Sequence, residues 1–149
     1  MSRRRTTVVI LATILVLALS ACAAKPFALR YEPSGAALTS KAAEELAATT
    51  DISALSKTTA DEAVDLRAEV LAQLRAKDEA GARAADLLTQ GFPERTAAVP
   101  VLVRLSSVDG TSAVVVVEAF GDDDGTLTHR RLWVFSLESG AVLRAASFR

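Results

Sequence analysis

"VPVLVRLSSVDGTSAVVVVEAF", residues 99–120, decides the fold. Val99, Val101, Val103 and Leu105 recur at every second position, the period of an extended strand whose side chains alternate between two faces. Asp109-Gly110 supplies a two-residue type I′ turn, which needs positive φ at both central positions. The chain then returns along Thr111–Phe120. With a two-residue loop, Val108 faces Thr111, Leu105 faces Val114 and Val103 faces Val116. Val99, Val101, Val103, Val116, Glu118 and Phe120 then share one face, and Leu102, Arg104, Val115 and Val117 share the other.

Working outward, "GDDDG" (121–125) leads into "TLTHRRLWVFSL" (126–137), and "ESG" (138–140) turns into "AVLRAASF" (141–148). These segments extend the hairpin into a four-stranded antiparallel meander. Trp133 and Phe135 share one face of the third strand, Leu132 and Val134 the other. Upstream, the period is helical. Residues 40–57 predict a first helix capped by Ser40 and weakened at Thr49, Thr50 and Asp51. Thr59-Ala60-Asp61-Glu62 forms a capping box, in which the hydroxyl and the carboxylate each satisfy a backbone N–H of the first turn. Ala63, Leu66, Val70 and Leu74 follow at helical spacing, while Asp65, Arg67, Glu69 and Arg75 fall mainly outside that stripe. A kink or break is expected between Lys77 and Gly81, because glycine costs a helix about 1 kcal/mol relative to alanine. Helix resumes to Gly91, where Leu87 and Phe92 have the spacing of a Schellman ending and Pro93 prevents continuation. The fold class expected is α+β, with two or three N-terminal helices followed by a four-stranded antiparallel sheet.

An antiparallel sheet with one wet face should alternate cleanly between apolar and polar residues. This one is apolar on both sides, so two arrangements remain open. Helical segments could cover both faces. Alternatively they could cover one, leaving a surface built from Val115, Val117, Trp133 and Phe135 for a protein, a second copy or a lipid-like ligand.

The amino-terminal segment speaks of address. "MSRRRTTVVILATILVLALSAC" places Arg3, Arg4 and Arg5 before an apolar run, Val8–Leu19, too short for the roughly 20 residues of a membrane-spanning helix. This is the pattern of a secretory signal peptide. Leu19-Ser20-Ala21-Cys22 resembles the lipobox of bacterial lipoprotein precursors over residues 1–22. The resemblance implies cleavage before Cys22, lipid (palmitate among the acyl groups) on its thiol, and anchorage to the extracytoplasmic face of the cell membrane. Two or more acyl chains are needed for stable attachment, at about 0.8 kcal/mol per buried methylene. The expected organisation is residues 1–21 as cleaved leader, 22–38 as a lipid-anchored tether marked by Pro26, Pro33 and Gly35, and 39–149 as one domain. Phe27 and Tyr31 stand out within the tether as residues that would dock onto the domain or lie among lipid headgroups.

Composition narrows function by exclusion. The chain has 17 basic and 18 acidic residues, and loss of three arginines with the leader leaves 14 against 18, a charge of −4. Without a basic stripe, no nucleic-acid partner is expected. Cys22 is the sole cysteine, so no disulfide within the chain is available. His129 is the sole histidine and lacks a zinc-ligand set around it. Asp122-Asp123-Asp124 lacks the alternating spacing and terminal glutamate of a calcium loop, and no glycine-rich phosphate loop occurs. No metal and no cofactor are expected.

Glu118 is the anomaly, a carboxylate on the Val-rich face, for which a salt bridge to Arg130 or Arg131 is favoured over catalysis. The expected function is therefore a non-enzymatic binding or interaction module on a membrane anchor. The alternatives are a small envelope hydrolase using carboxylates such as Glu118 with His129 nearby, and a structural module that forms a homodimer.

Overall fold

The computed structural model describes residues 26–90, 96–121 and 125–149. In chain order the elements are β1 (Arg30–Glu32), α1 (Ser40–Thr49), a 3-10 turn (Ser53–Leu55), α2 (Ala60–Arg75), α3 (Glu79–Gln90), β2 (Ala98–Val108), β3 (Thr111–Phe120), β4 (His129–Ser136) and β5 (Val142–Phe148). The five strands lie in the order β1-β2-β3-β4-β5, with β1 parallel to β2 and the others antiparallel.

The fold is α+β, with two corrections to the expected layout. The sheet is mixed and has five strands, and the helices do not all precede it, because β1 comes first. Pairing of Arg30–Glu32 with Leu102–Arg104 makes the three helices a crossover between parallel neighbours. Three residues in a stretch punctuated by proline and glycine carry no alternation that would mark a strand.

β1 begins a longer edge. The Gly35 amide donates to Leu105 O at 2.7 Å, and the Leu38 amide to Ser107 O at 2.8 Å. A Cβ at Gly35 would lie 2.6 Å from Arg104 Cδ, so any side chain there would have to displace the Arg104 side chain. Phe27 and Tyr31 pack against the core, the docked option of the two considered for them.

The hairpin forms as its turn residues dictate. Asp109 has φ 48° and Gly110 φ 83°, and Val108–Thr111, Leu105–Val114 and Val103–Val116 are paired as expected. The register then shifts by one residue between Pro100 and Leu102, so that Val99 faces Ala119 and Pro100 faces Glu118. Pro100 has no N–H to donate to a ladder, and prolines within sheets accordingly favour edges and bulges. The shift moves Val99 to the face opposite Val103.

Each face has its own helical cover. α1 packs on β4 and β5, and α2 packs on β2 and on α3. Arg144 of β5 pairs with Glu44 of α1, and Arg130 Nε donates to Thr50 O at 2.6 Å, which places α1 on the face of Val115, Val117 and Leu132. Arg67 of α2 pairs with Glu118, placing α2 on the face of Val116 and Trp133. A sheet apolar on both sides is thus buried on both sides. Val103, Val114, Val115, Val116 and Val117 are each fully buried.

The helix boundaries follow local chemistry. Thr39, one residue before the expected Ser40, accepts from the Ala42 amide and caps α1. Ser40 instead donates to Asp109 in the hairpin turn. The Thr59–Glu62 capping box opens α2, and the break between α2 and α3 spans residues 76–78. Gly81 falls inside α3, where its amide donates to Asp78 Oδ1 at 2.7 Å. The expected Schellman ending at Gly91–Pro93 and the aspartates 122–124 lie outside the described residues.

Candidate functional site

Glu118 carries the densest polar chemistry among the described residues. Its side chain is fully buried, on β3 under α2. Oε1 accepts from Arg67 Nη1 at 2.5 Å. Oε2 accepts from Arg131 Nη2 at 3.0 Å, Arg131 Nε at 3.2 Å and Trp133 Nε1 at 2.9 Å. The strand register explains the convergence, since Arg131 lies directly opposite Glu118 on β4 and Trp133 is two residues along the same face. The expected salt bridge is made by Arg131. Arg130 lies on the other face, bonded to Thr50.

Arg67 was expected to fall mainly outside the buried stripe, and it is 3% exposed. Its guanidinium also donates to Ala98 O at 2.8 Å and to Leu88 O at 3.1 Å. Leu88 is in the last turn of α3, where carbonyls lack intrahelical partners, so one side chain of α2 satisfies α3, β2 and β3 together. A sequence signal for this existed. Arg67 stands four residues from both Ala63 and Leu71, on the face that the apolar residues define. The anomaly at Glu118 also required a buried partner of opposite sign.

Both oxygens of Glu118 are engaged by charged or strong donors. The carboxylate is also 0% exposed, so no face of it is open to solvent. His129 faces Phe120, with ring centroids 5.4 Å apart, and its Nδ1 lies 3.0 Å from Thr128 Oγ1. The structure records no hydrogen bond between Glu118 and His129. Among the described residues no group of three or more His, Cys, Asp or Glu side chains has a metal-binding arrangement.

The apolar surface expected from Val115, Val117, Trp133 and Phe135 is not assembled. Val115 and Val117 are fully buried on the α1 face. Phe135, 3% exposed, lies on the opposite face beside half-buried Trp133, their rings stacked at 6.1 Å. Strand alternation separates the two pairs, and helical cover makes Val115, Val117 and Phe135 core. Cys22 lies outside the described residues.

The α1 face nevertheless opens at one corner. A cleft of about 680 Å³ lies between the segment 26–30, the end of α1 and the Val101 irregularity of β2. Phe27, Leu46 and Leu102 line it together with Arg30, Thr50 and Asp51, so its walls are part apolar and part polar. Asp51 accepts from the Ser53 amide at 2.9 Å, and that bond holds its carboxyl below the usual range. Arg30 is paired with Glu32, which is itself held low by Arg104. In the middle of β1, on the face opposite Arg30, burial and the bond from Tyr31 to Asp78 (2.7 Å) push the Tyr31 phenol up to about 12.

No family model, curated protein or solved structure matches this chain.

Proposed function

We propose that this chain is a lipid-anchored protein of the extracytoplasmic membrane face, whose α+β domain acts by contact and not by catalysis, on a protein or lipid-like ligand. The observation that carries the reading is the distance in sequence between the anchor and the fold. Cys22, the last residue of the Leu19-Ser20-Ala21-Cys22 pattern, is eight residues from Arg30, where β1 joins the sheet. An extended chain advances at most about 3.3–3.6 Å per residue, so the start of β1 stands within roughly 29 Å of the lipidated residue. Pro26, on the wall of the cleft, stands within roughly 14 Å of it by the same measure. The domain is therefore held close to the headgroups with its cleft at the tethered end.

The engagement of both Glu118 oxygens supports contact over hydrolysis. Mixed apolar and polar walls suit a ligand that is partly apolar, such as an acyl-bearing molecule or an amphipathic peptide.

Two experiments test the reading. Labelled palmitate should enter the wild-type chain and not Cys22→Ser, which should also keep its leader. A wild-type chain that takes up no label, or a Cys22→Ser chain that takes up as much, refutes the anchor. A photo-crosslinking side chain at Thr49, on the cleft wall, should capture a ligand from intact cells that the same group at exposed Lys57 does not. Equal capture at both positions, or none at Thr49, refutes the cleft as the contact surface.

A further inference from the structure

The cleft at the tethered end carries a surplus of positive charge. Arg30 lines it with a side chain that is 63% exposed. The β1–β2 register puts Arg30 and Glu32 on one face with Leu102 and Arg104. Glu32 is shared between the two arginines, Oε1 pairing with Arg30 and Oε2 with Arg104. Two guanidinium groups thus flank one carboxylate, which neutralises only one of them. On the other wall Asp51 has the charge of Arg130 near it, and Arg130 Nε donates to Thr50 O. Three arginines stand against two carboxylates at this corner. Phe27, Leu46, Val101 and Leu102 supply the apolar wall between them.

Given the lipid anchor proposed above, on which this rests, we infer that the cleft holds an acidic phospholipid of the membrane, its phosphate on Arg30 and its upper acyl methylenes against Phe27 and Leu46. The apolar wall alone would draw no lipid, because acyl tails already lie among neighbours as apolar as leucine. Charge makes the difference. Arg30 can turn to a phosphate without stranding Glu32, which keeps Arg104. Guanidinium and phosphate form charge-assisted and frequently bidentate hydrogen bonds. In phosphatidylethanolamine the phosphate has its own ammonium group beside it and gains less from Arg30. A headgroup without that ammonium, as in phosphatidylglycerol, is expected to bind about tenfold more tightly.

The tether selects the source of the phosphate. Pro26, on the cleft wall, stands within roughly 14 Å of Cys22, so the cleft meets the bilayer surface. A lipid in that surface is presented at a far higher effective concentration than an anion free in solution. The volume of about 680 Å³ also falls inside the roughly 300–1,000 Å³ of small-molecule sites.

The test is native mass spectrometry of the full-length chain, purified in detergent and offered phosphatidylglycerol or phosphatidylethanolamine with the same acyl chains. One phosphatidylglycerol should bind per chain, about tenfold more tightly than phosphatidylethanolamine. Arg30→Gln should remove that preference at unchanged circular dichroism. Ala28→Trp, which fills the cleft mouth from an exposed position, should abolish binding. Arg75→Gln, at an exposed arginine of α2, should change neither. An excess of inorganic phosphate should leave the lipid in place. Equal binding of the two lipids, a preference that survives Arg30→Gln, or binding that survives Ala28→Trp overturns the inference. So does displacement by inorganic phosphate, or a peptide bound in place of lipid. The mass of the same chain after denaturation reads the anchor separately. A bare Cys22 refutes the anchor, and the lipid preference in detergent is read in either case.

Discussion

Replacing Glu118 by glutamine removes a buried charge while keeping the side chain's shape, and tests what the carboxylate shared by Arg67 and Arg131 contributes. Arg67 is 3% exposed, and its recorded partners are Glu118, Ala98 O and Leu88 O. After substitution a guanidinium stays buried with two neutral carbonyls and no counter-charge. An amide nitrogen also enters a site where each recorded partner is a donor. Breaking a buried pair in this way costs about 3–5 kcal/mol. Against a total stability of about 5–15 kcal/mol, that is a large fraction.

Urea unfolding followed by circular dichroism reads the loss. With a slope of about 2 kcal/mol per molar, the midpoint should fall by roughly 1.5–2.5 M. Arg67→Met should cost less, because Glu118 keeps three recorded donors from Arg131 and Trp133. The double variant Arg67→Met/Glu118→Gln should cost less than the two single losses added together, since the uncompensated guanidinium is gone. A Glu118→Gln loss below about 1 kcal/mol would show that no buried ion pair holds α2 to the sheet. Additive losses in the double variant would refute the coupling.

Three further outcomes are expected. Gly81→Ala should destabilise the domain despite alanine's helix propensity, because the added Cβ would lie 2.5 Å from Leu74 O; a raised melting temperature would contradict this packing. Acid should lower the melting temperature. Glu32, Asp51, Glu62, Asp78 and Asp109 are held low by hydrogen bonds, so their contribution is complete above the ordinary carboxylate range and is lost as pH falls through their folded values. A melting temperature flat from pH 6 to pH 2 would refute those bonds. In alkali the sign reverses for Tyr31, whose neutral form is favoured by burial and by its bond to Asp78. Its contribution is complete below the ordinary value of about 10 and is lost as pH rises toward 12, so Tyr31→Phe should flatten that limb.

Much of the fold was legible because it is encoded over short separations. Two-residue alternation marks β2 and β3, Asp109-Gly110 sets their turn, and the Thr59–Glu62 box starts α2 where it should. Each rests on a φ preference or a hydrogen bond within a few residues. β1 was not legible, since Arg30–Glu32 is a strand only by virtue of the β2 edge beside it. The shift at Pro100 had a visible cause, the missing N–H, but its effect on Val99 depends on the partner strand. Of the candidate site, Glu118 announced itself as a charge on an apolar face and Arg131 followed from the register. Arg67 shared the apolar face of α2 by its spacing, but its meeting with Glu118 needed the packing of α2 to be known.

The sequence alone determined the α+β class, the order of helices and strands from α1 to β5, the hairpin register as far as Leu102, and the presence of apolar residues on both sides of the sheet. Only the tertiary structure decided which helix covers which side, and therefore that Val115, Val117 and Phe135 are core. Periodicity is a property of neighbours along the chain. Burial of a sheet face depends on where distant helices settle, and a pattern with two apolar faces is the same whether their cover comes from this chain or from a partner.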